Sequence, residues 1–142
     1  MPLKLSLKPR EKFVLNGAVL RNGDRRANIV VENNASILRE KDIMQPEDAT
    51  TPAKRVYFPI MMMYIDAEAS EAYREEFVAR MSEFMKAVSN REALTLCVDL
   101  SRDVLMGEYY RALTKCRKLF EFEDVRLKYA PPASLREDSA PL

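Results

Sequence analysis

The sequence predicts an α+β protein in which a small antiparallel β-sheet precedes an α-helical half. Within the first 45 residues, Leu3, Leu5 and Leu7 alternate with polar residues, and further short apolar runs are separated by turn residues, which is typical of short strands. From residue 46 the apolar residues recur every three or four positions, which is typical of amphipathic helices. The end of the chain is rich in proline, serine and charge. We therefore divide the chain into a β part (residues 1–45), a helical part (residues 46–128) and a disordered tail (residues 129–142).

The β part is predicted to form an antiparallel meander of four short strands. The stretch LKLSL, residues 3–7, alternates apolar and polar side chains, as a half-buried strand does. Asn22-Gly23 predicts a hairpin, because both central residues of a type I′ turn need positive φ. Asn16-Gly17 lies inside an apolar run and indicates either a bulge or a tight turn. The last strand, residues 36–38, runs into the charged residues 39–42, which end it.

Such a meander buries too little apolar surface to be stable alone. It therefore needs a partner, which is the helical part, a second copy of the meander, or both. We expect the protein to form a homodimer through its β part.

The helical part contains recognisable helix starts and stops. Thr51 and Pro52 suit the N-cap and the first position of a helix. Residues 67–88 show the clearest amphipathic pattern in the chain, with apolar side chains on one face. Asn90 can cap a further helix that ends at Gly107. A last helix, opening with GEYYRAL, completes an αα-hairpin.

The first of these helices has two unusual features. Pro59 predicts a kink or two short helical pieces, because proline lacks an N–H and its ring clashes with the preceding turn. Met61, Met62 and Met63 follow it closely. Methionine is chiefly an adaptable filler of irregular packing, so we favour a core role for this run over a flexible partner-binding surface.

Composition excludes several classes of function. The chain of 142 residues has no histidine, so it lacks the commonest general base and the commonest metal ligand. Cys97 and Cys116 form no CxxC motif and are interpreted as buried structural thiols. We therefore expect no enzymatic activity, no cofactor and no metal. No stretch has the length and apolarity of an export signal or a membrane span, so we expect a cytoplasmic protein without a membrane partner.

Positive charge is concentrated in the β part. Residues 1–41 carry nine basic and four acidic side chains, a local excess of +5 in a chain whose net charge is +1. Any polyanion would be expected to meet this part of the molecule. The alternative is a solvated charged surface without a polyanionic partner, and charge alone favours that alternative.

Three stretches of the sequence resemble a known family. NGAVLRNG, the longer run VVENNASILREKDIMQPEDATTPAKRVYFPIMMMYID and GEYYRALTKCRKL are similar to the flagellar biosynthesis repressor FlbT family, with a resemblance that extends from residue 1 to about residue 128. The resemblance implies a post-transcriptional repressor of flagellin synthesis that binds the 5′ untranslated leader of flagellin mRNA and promotes its degradation. It also implies the flagellar regulator FlaF as a functional partner.

A more remote resemblance covers residues 3–43, whose order of elements is similar to that of the translational regulator CsrA. That family forms an intertwined β dimer that binds RNA through its first and last strands, and an arginine heading an Arg-Glu pair is central to binding. Arg39 falls on that position here, whereas Lys8-Pro9-Arg10 replaces consecutive arginines only loosely and Leu38 replaces a common histidine.

The expected RNA-binding residues are basic side chains of the β part. Arginine can stack on bases and also form bidentate hydrogen bonds. Phe13 is the one aromatic residue before Tyr57 in the sequence, so a platform of stacked rings is not expected. For Arg39 the alternative role is a surface ion pair with a neighbouring carboxylate. The residues predicted to bind RNA are Arg39, Lys8, Arg10, Lys4, Arg25 and Arg26.

A second class of function is a protein–protein adaptor in flagellar assembly that does not bind RNA directly. In this hypothesis the helical part binds a flagellar partner and the β part dimerises. Tyr109, Tyr110, Met61 and Met63 would then form an exposed groove for an incoming helix. The two functions are compatible, because a regulator that senses assembly needs both an RNA surface and a protein surface.

Overall fold

The computed structural model describes the backbone of residues 2–129 and the side chains of residues 2–123. Within that range the molecule is an α+β protein, as the sequence predicts, with β-strands followed by α-helices. The predicted disordered tail, residues 129–142, lies outside the described residues except for Tyr129, where the last helix ends.

The strands form two small antiparallel sheets and not the single meander predicted from the sequence. One sheet pairs β1 with β4, and the other has the order β3-β2-β5. In a meander each strand pairs with the next one along the chain. Among the described strands only β2 and β3 are consecutive in sequence and also paired with each other. The strands are β1 (Leu3–Leu7), β2 (Lys12–Leu15), β3 (Ala18–Arg21), β4 (Ala27–Val31) and β5 (Ile37–Arg39).

A hairpin turn lies at Asn16-Gly17, which confirms the tight-turn alternative predicted there, whereas the hairpin predicted at Asn22-Gly23 is wrong. Asn16 has φ of 49° and Gly17 has φ of 85°, which are the positive values that a two-residue hairpin turn needs. A Cβ at Gly17 would also come within 2.9 Å of the Ile65 carbonyl oxygen, so only glycine fits without strain. After β3 the chain leaves this sheet and joins β1 in the other one, which is why Asn22-Gly23 closes no hairpin.

Strands β2 and β5 contribute buried residues to both faces of the three-stranded sheet, whereas the residues of β3 are exposed. Directly opposed residues share a face, so Val14 and Leu38 lie on one face and Phe13 and Arg39 lie on the other. Val14 and Leu38 belong to the core formed with the helices. We call this face the helix-side face, and the other the strand-side face, because Arg39 there donates a hydrogen bond to the carbonyl oxygen of Ser6 in β1.

Four α-helices follow the sheets, and α1 packs between α2 and α4, while α3 packs on α4. The predicted caps of two helices are confirmed: the Thr51 hydroxyl accepts a hydrogen bond from the N–H of Lys54, and the Asn90 side chain accepts one from the N–H of Ala93. Gly107, with φ of 77°, follows the end of α3 as predicted. The helices are α1 (Pro52–Ile65), α2 (Ser70–Ala87), α3 (Arg91–Leu105) and α4 (Tyr109–Tyr129), with short 3₁₀ helices at Glu40–Asp42, Pro46–Asp48 and Ala67–Ala69.

The first helix is continuous through Pro59, so the prediction of two short pieces is wrong. Pro59 is almost completely buried, and packing of α1 between two other helices outweighs the single hydrogen bond that proline removes. Met61 and Met63 are each only 2% exposed, which confirms the core role of the methionine run. For the same reason the predicted exposed groove that used these two methionines is wrong.

Both cysteines lie in the core, as predicted. Cys97 and Cys116 are free thiols with no exposed surface. Burial raises the pKa of Cys97 to about 11 and raises the pKa of Cys116 well above its ordinary value. A buried thiol that stays protonated is a poor nucleophile, so these residues act as small apolar side chains.

None of the helices in residues 2–129 combines the length and apolarity needed to cross a membrane.

Two tyrosine hydroxyls join the β part to the helices. The Tyr64 hydroxyl lies 2.9 Å from the Ile37 nitrogen, from which it accepts, and 3.1 Å from the Ile37 oxygen, to which it donates. The Tyr57 hydroxyl donates to the Asp42 carbonyl oxygen at 2.6 Å, and Arg117 on α4 pairs with the Asp42 carboxylate at 3.3 Å. The end of β5 and the segment after it are therefore fastened to α1 and α4.

Candidate nucleic-acid interface

The side chain of Asn22 brings two basic turns together at one end of the β part. Its amide nitrogen donates to the carbonyl oxygens of Lys8, at 2.8 Å, and Arg25, at 2.9 Å. The N–H of Arg10 donates to the carbonyl oxygen of Gly23, at 2.8 Å. The turn after β1 and the turn before β4 therefore lie side by side. We call Lys8, Arg10 and Arg25 the basic turn cluster; all three are exposed.

The cations of the basic turn cluster are largely available to a ligand. Arg10 forms an ion pair with Asp24 at 3.1 Å, but the two side chains are 72% and 82% exposed. Exposed pairs of this kind contribute little and exchange readily with solvent. Among the described residues the Lys8 and Arg25 side chains form no ion pair.

Lys4 and Arg26 lie apart from the turn cluster, on the outer face of the two-stranded sheet. Lys4 is opposite Val30 in the ladder, and both are exposed. The Arg26 guanidinium donates to the hydroxyl of Ser6, two residues after Lys4 on the same face, at 3.2 Å. These two side chains therefore extend the positive surface along β1, away from the helices.

Arg39 holds the two sheets together. Its guanidinium forms a bidentate pair with Glu11, with Nε to Oε2 at 3.0 Å and Nη2 to Oε1 at 2.9 Å. The same Nη2 donates to the Ser6 carbonyl oxygen at 2.6 Å. The side chains of Arg39 and Glu11 are only 31% and 11% exposed. Arg39 thus forms the ion pair that the sequence allowed as its alternative role, and a contact with RNA remains a prediction.

Glu11 is held in its charged form by its ion pair with Arg39. The Arg39 hydrogen bonds lower the pKa of Glu11 below its ordinary value of 4.5, and the Lys8 N–H, which donates to Glu11 Oε1 at 2.9 Å, lowers the pKa further. Two charge-assisted hydrogen bonds in one plane are strong and geometrically specific. Glu11 and Arg39 therefore set the position of β5 against the turn after β1.

A basic pocket, which the sequence did not predict, lies at the end of the helix-side face. Its volume is about 370 Å³. Lys12 in β2 and Arg21 in β3 face each other directly across the ladder, on the same face as Val14. Counting backwards from a two-residue turn at Asn16-Gly17 would have paired them. The pocket is lined by Arg10, Lys12, Arg21, Glu40, Ile43 and Gln45.

The six predicted residues therefore do not form one site. Three lie in the basic turn cluster, two on the outer face of the small sheet, and Arg39 lies between the sheets in an ion pair. Only Arg10 also reaches the basic pocket. The fold and these sites define a small α+β protein in which a basic β part packs on a set of helices.

The chain belongs to the FlbT family. The family model described as "Flagellar protein FlbT" matches residues 3–127, which is almost the whole described region. The resemblance seen in the sequence is thereby confirmed. The matched names describe repressors of flagellum biosynthesis and no catalytic activity.

Curated relatives share most of their length with this chain. It is 60% identical to the "Probable flagellum biosynthesis repressor protein FlbT" of Caulobacter sp. (strain K31), over 89% of this chain and 97% of that protein. It is 59% identical to the "Flagellum biosynthesis repressor protein FlbT" of Caulobacter vibrioides (strain ATCC 19089 / CIP 103742 / CB 15), over 89% of this chain and 90% of the relative. A Rhodopseudomonas palustris (strain ATCC BAA-98 / CGA009) protein of the same probable function is 38% identical, over 87% and 96% of the two chains.

No solved structure shows a significant match to the chain. The likeness of the β part to CsrA therefore stays a prediction, made from the order of elements in residues 3–43.

Proposed function

We propose that this protein represses flagellin synthesis and flagellum biogenesis by binding the 5′ untranslated region of flagellin mRNA in the cytoplasm and promoting its degradation. Its relatives are named as repressors of flagellum biosynthesis, which supports the repressor role. The basic turn cluster carries the RNA-binding step, because the backbone of its three exposed residues is held in place there, at Lys8 and Arg25 by the Asn22 side chain and at Arg10 by the Gly23 carbonyl oxygen. A repressor that contacts phosphates needs such a group of cations at fixed spacing.

The proposed RNA contact relies on cations and backbone groups, without stacked rings. Phe13, the one aromatic residue of the β part, is only 6% exposed, so it offers no face to an unpaired base. Arginine can supply both stacking and bidentate hydrogen bonds, and Arg10, Arg25 and Arg26 are exposed. Message decay would then follow from exposing the message to a separate nuclease, because the chain has no histidine, the commonest general base.

The test of direct binding is a gel shift of a flagellin leader RNA by the purified full chain. The triple variant Lys8→Ala, Arg10→Ala, Arg25→Ala should weaken binding, and the dependence of log K on log salt should become shallower by about 0.7 for each phosphate of a single strand that is no longer neutralised. The matched control is Lys86→Ala, Arg91→Ala, Lys118→Ala, which removes three exposed cations of the helical part. Failure of the wild-type protein to shift the leader at any salt concentration would refute direct RNA binding.

The adaptor function remains the second candidate, and one exposed apolar surface favours it. Leu105 is 73% exposed, Met106 is 74% exposed and Tyr110 is 47% exposed, where α3 turns into α4. Exposed apolar residues grouped in this way can form a protein contact. In this alternative a flagellar partner such as FlaF binds here, and the leader RNA shifts only after that protein is added. Leu105→Ser with Met106→Ser should then abolish the RNA shift without changing the β part.

We also propose that the protein forms a homodimer through its β part. β3 is an edge strand whose four residues are all exposed, including Val19 at 70% and Leu20 at 38%. An exposed edge with apolar side chains is a ready template for pairing with another strand, and a second copy of β3 would cover it. Val19→Lys should convert a dimer to a monomer in light scattering. A wild-type protein that is monomeric at all concentrations would refute the dimer.

A further inference from the structure

We propose that the basic pocket binds a phosphate group, and that in the repressor this group belongs to the RNA backbone. The source of the phosphate rests on the proposed RNA-binding function, whereas the chemistry of the pocket does not. The central role falls to Lys12 and Arg21, which lie on the helix-side face and are outside the basic turn cluster.

Two positive charges oppose each other directly in the pocket. Lys12 and Arg21 are partners in the β2–β3 ladder, and like charges directly opposite each other destabilise a sheet. Among the described residues neither side chain forms an ion pair. Two unpaired cations held close together by a ladder favour a multivalent anion between them, because one phosphate can accept from both.

Arg10, the third cation of the pocket, has an unusual backbone conformation. Its φ is 62°, in the left-handed region that disfavours side chains larger than those of glycine or asparagine. Its N–H is held by the Gly23 carbonyl oxygen at 2.8 Å, so the surrounding backbone imposes this conformation. A non-glycine residue kept in a strained conformation beside a pocket is often part of a functional site.

The charge and size of the pocket suit a phosphate group. Glu40 is the one acidic residue of its lining, and its Oε1 accepts from the backbone N–H of Lys12 at 2.6 Å. The three cations and one carboxylate of the lining have a net charge of about +2, which falls to about +1 when Asp24, the ion-pair partner of Arg10, is included, and a positive charge of this size complements a phosphate. The pocket is a shallow depression of about 370 Å³ that is open to solvent, so a phosphate bound there could remain attached to a longer chain.

The first experiment measures inorganic phosphate binding by the full chain, using amide NMR shifts at constant ionic strength with chloride as the reference anion. Wild-type protein should show saturable shifts centred on the amides of Lys12 and Arg21. The double variant Lys12→Gln, Arg21→Gln should lose these shifts, whereas Lys12→Arg should keep them. The control Lys86→Gln, Arg91→Gln removes the same charge from the helical part and should behave as the wild type.

Thermal unfolding gives a second readout that does not depend on NMR assignments. Phosphate should raise the Tm of the wild type more than that of the double variant, because a ligand that binds only the folded state stabilises it. The double variant should also be at least as stable as the wild type without phosphate, since the repulsion between the two charges is gone. A double variant that unfolds far more easily without phosphate would overturn the assignment of Lys12 and Arg21 as unpaired, mutually repelling cations.

The RNA experiment separates the two sources of phosphate. If the backbone of the leader occupies the pocket, the double variant should bind the leader at least tenfold more weakly, with a salt slope shallower by about 0.7 for each phosphate that is no longer neutralised. Phosphate binding in a protein that never shifts RNA would retain the pocket as a site for a free phosphate compound and refute the proposed function. RNA binding that is unchanged in the double variant, with no phosphate shifts in the wild type, would overturn this inference and leave the proposed function standing.

Discussion

Arg39 and Arg21 occupy opposite faces of the same three-stranded sheet and differ in what lies across from them. On the strand-side face Arg39 meets Glu11 and the carbonyl oxygen of Ser6. On the helix-side face Arg21 meets Lys12, another cation. An arginine that faces a carboxylate joins elements of the fold, whereas one that faces a lysine retains unused hydrogen-bond donors for a ligand. The chemical type of the residue is the same, and the partner decides its role.

The largest expected effect is on the stability of the protein when Arg39 is removed. Arg39→Ala leaves Glu11, which is 11% exposed, without its partner. We expect a loss of about 2–3 kcal/mol in the free energy of unfolding, between the cost for an exposed pair and that for a fully buried pair. Urea denaturation measures this loss. Arg10→Ala, which removes an exposed pair, is the matched control and should cost less than about 1 kcal/mol. Equal losses in the two variants would show that the Arg39–Glu11 pair stabilises the protein no more than the exposed Arg10–Asp24 pair does.

The same ion pair can be removed by acid. The pKa of Glu11 is lowered in the folded protein from its ordinary value of 4.5, so its stabilising contribution is fully present above 4.5 and is lost as the pH falls through the lowered pKa. Glu11→Gln lacks this contribution at every pH. The difference in unfolding free energy between wild type and Glu11→Gln should therefore shrink as the pH falls below 4.5. Urea denaturation across this pH range measures it, and a constant difference would contradict the assignment.

A smaller effect is expected where the β part joins the helices. Tyr57→Phe removes the hydrogen bond donated to the Asp42 carbonyl oxygen, at 2.6 Å, and the one accepted from Arg117 Nη1, at 3.3 Å, and it leaves the ring packed against Phe120. We expect a loss of about 1–2 kcal/mol in thermal or urea unfolding, because the partly buried carbonyl oxygen of Asp42 is left without this donor. Burial raises the pKa of Tyr57 to about 12, so the loss should be the same at every pH well below that value.

Tyr73→Phe offers a control for the hydroxyl. The Tyr73 ring packs edge-on against Phe58 and its hydroxyl forms no hydrogen bond among the described residues, so this variant should unfold like the wild type. If Tyr73→Phe lowered the free energy of unfolding as much as Tyr57→Phe does, the loss in Tyr57→Phe could not be assigned to the hydrogen bond with Asp42.

The smallest effect should have the opposite sign. Arg21→Gln removes one of the two facing cations in the β2–β3 ladder and should stabilise the free protein by up to about 0.5 kcal/mol, since the repulsion across a ladder is of that order. Glutamine keeps much of the length of arginine, so packing changes little. The measurement is urea denaturation at low salt, and added salt should reduce the gain. Reduced stability would show that Arg21 has a structural role like that of Arg39.

The helices were largely predictable because their signals are local. Thr51 and Asn90 act as N-caps within three residues of their partners, and the spacing of apolar residues selects the buried face of each helix without knowledge of the rest of the chain. Pro59 was the exception. Its local preference for a break was overridden by the packing of α1 between α2 and α4, which no local pattern records.

The sheets and the candidate site were less predictable because strand pairing is long-range. Asn16-Gly17 and Asn22-Gly23 have the same turn chemistry, and only one of them can be followed by a strand that returns to β2. Because the hairpin was predicted at Asn22-Gly23, the pairing of Lys12 with Arg21 across the β2–β3 ladder was not predicted. The ion pair between Arg39 and Glu11 was equally unpredictable, because the two residues lie 28 positions apart in the sequence.

The sequence by itself determined the class of the fold, the caps, the burial of the methionines and cysteines, and the excess of positive charge in the first third of the chain. These features depend on residue type and on neighbours a few positions apart. The tertiary structure alone decided which arginine is paired and which faces another cation, because both outcomes depend on register between distant strands. A shift of one residue in that register moves a side chain to the other face of the sheet, so the neighbours of each cation were decided only when the strands were paired.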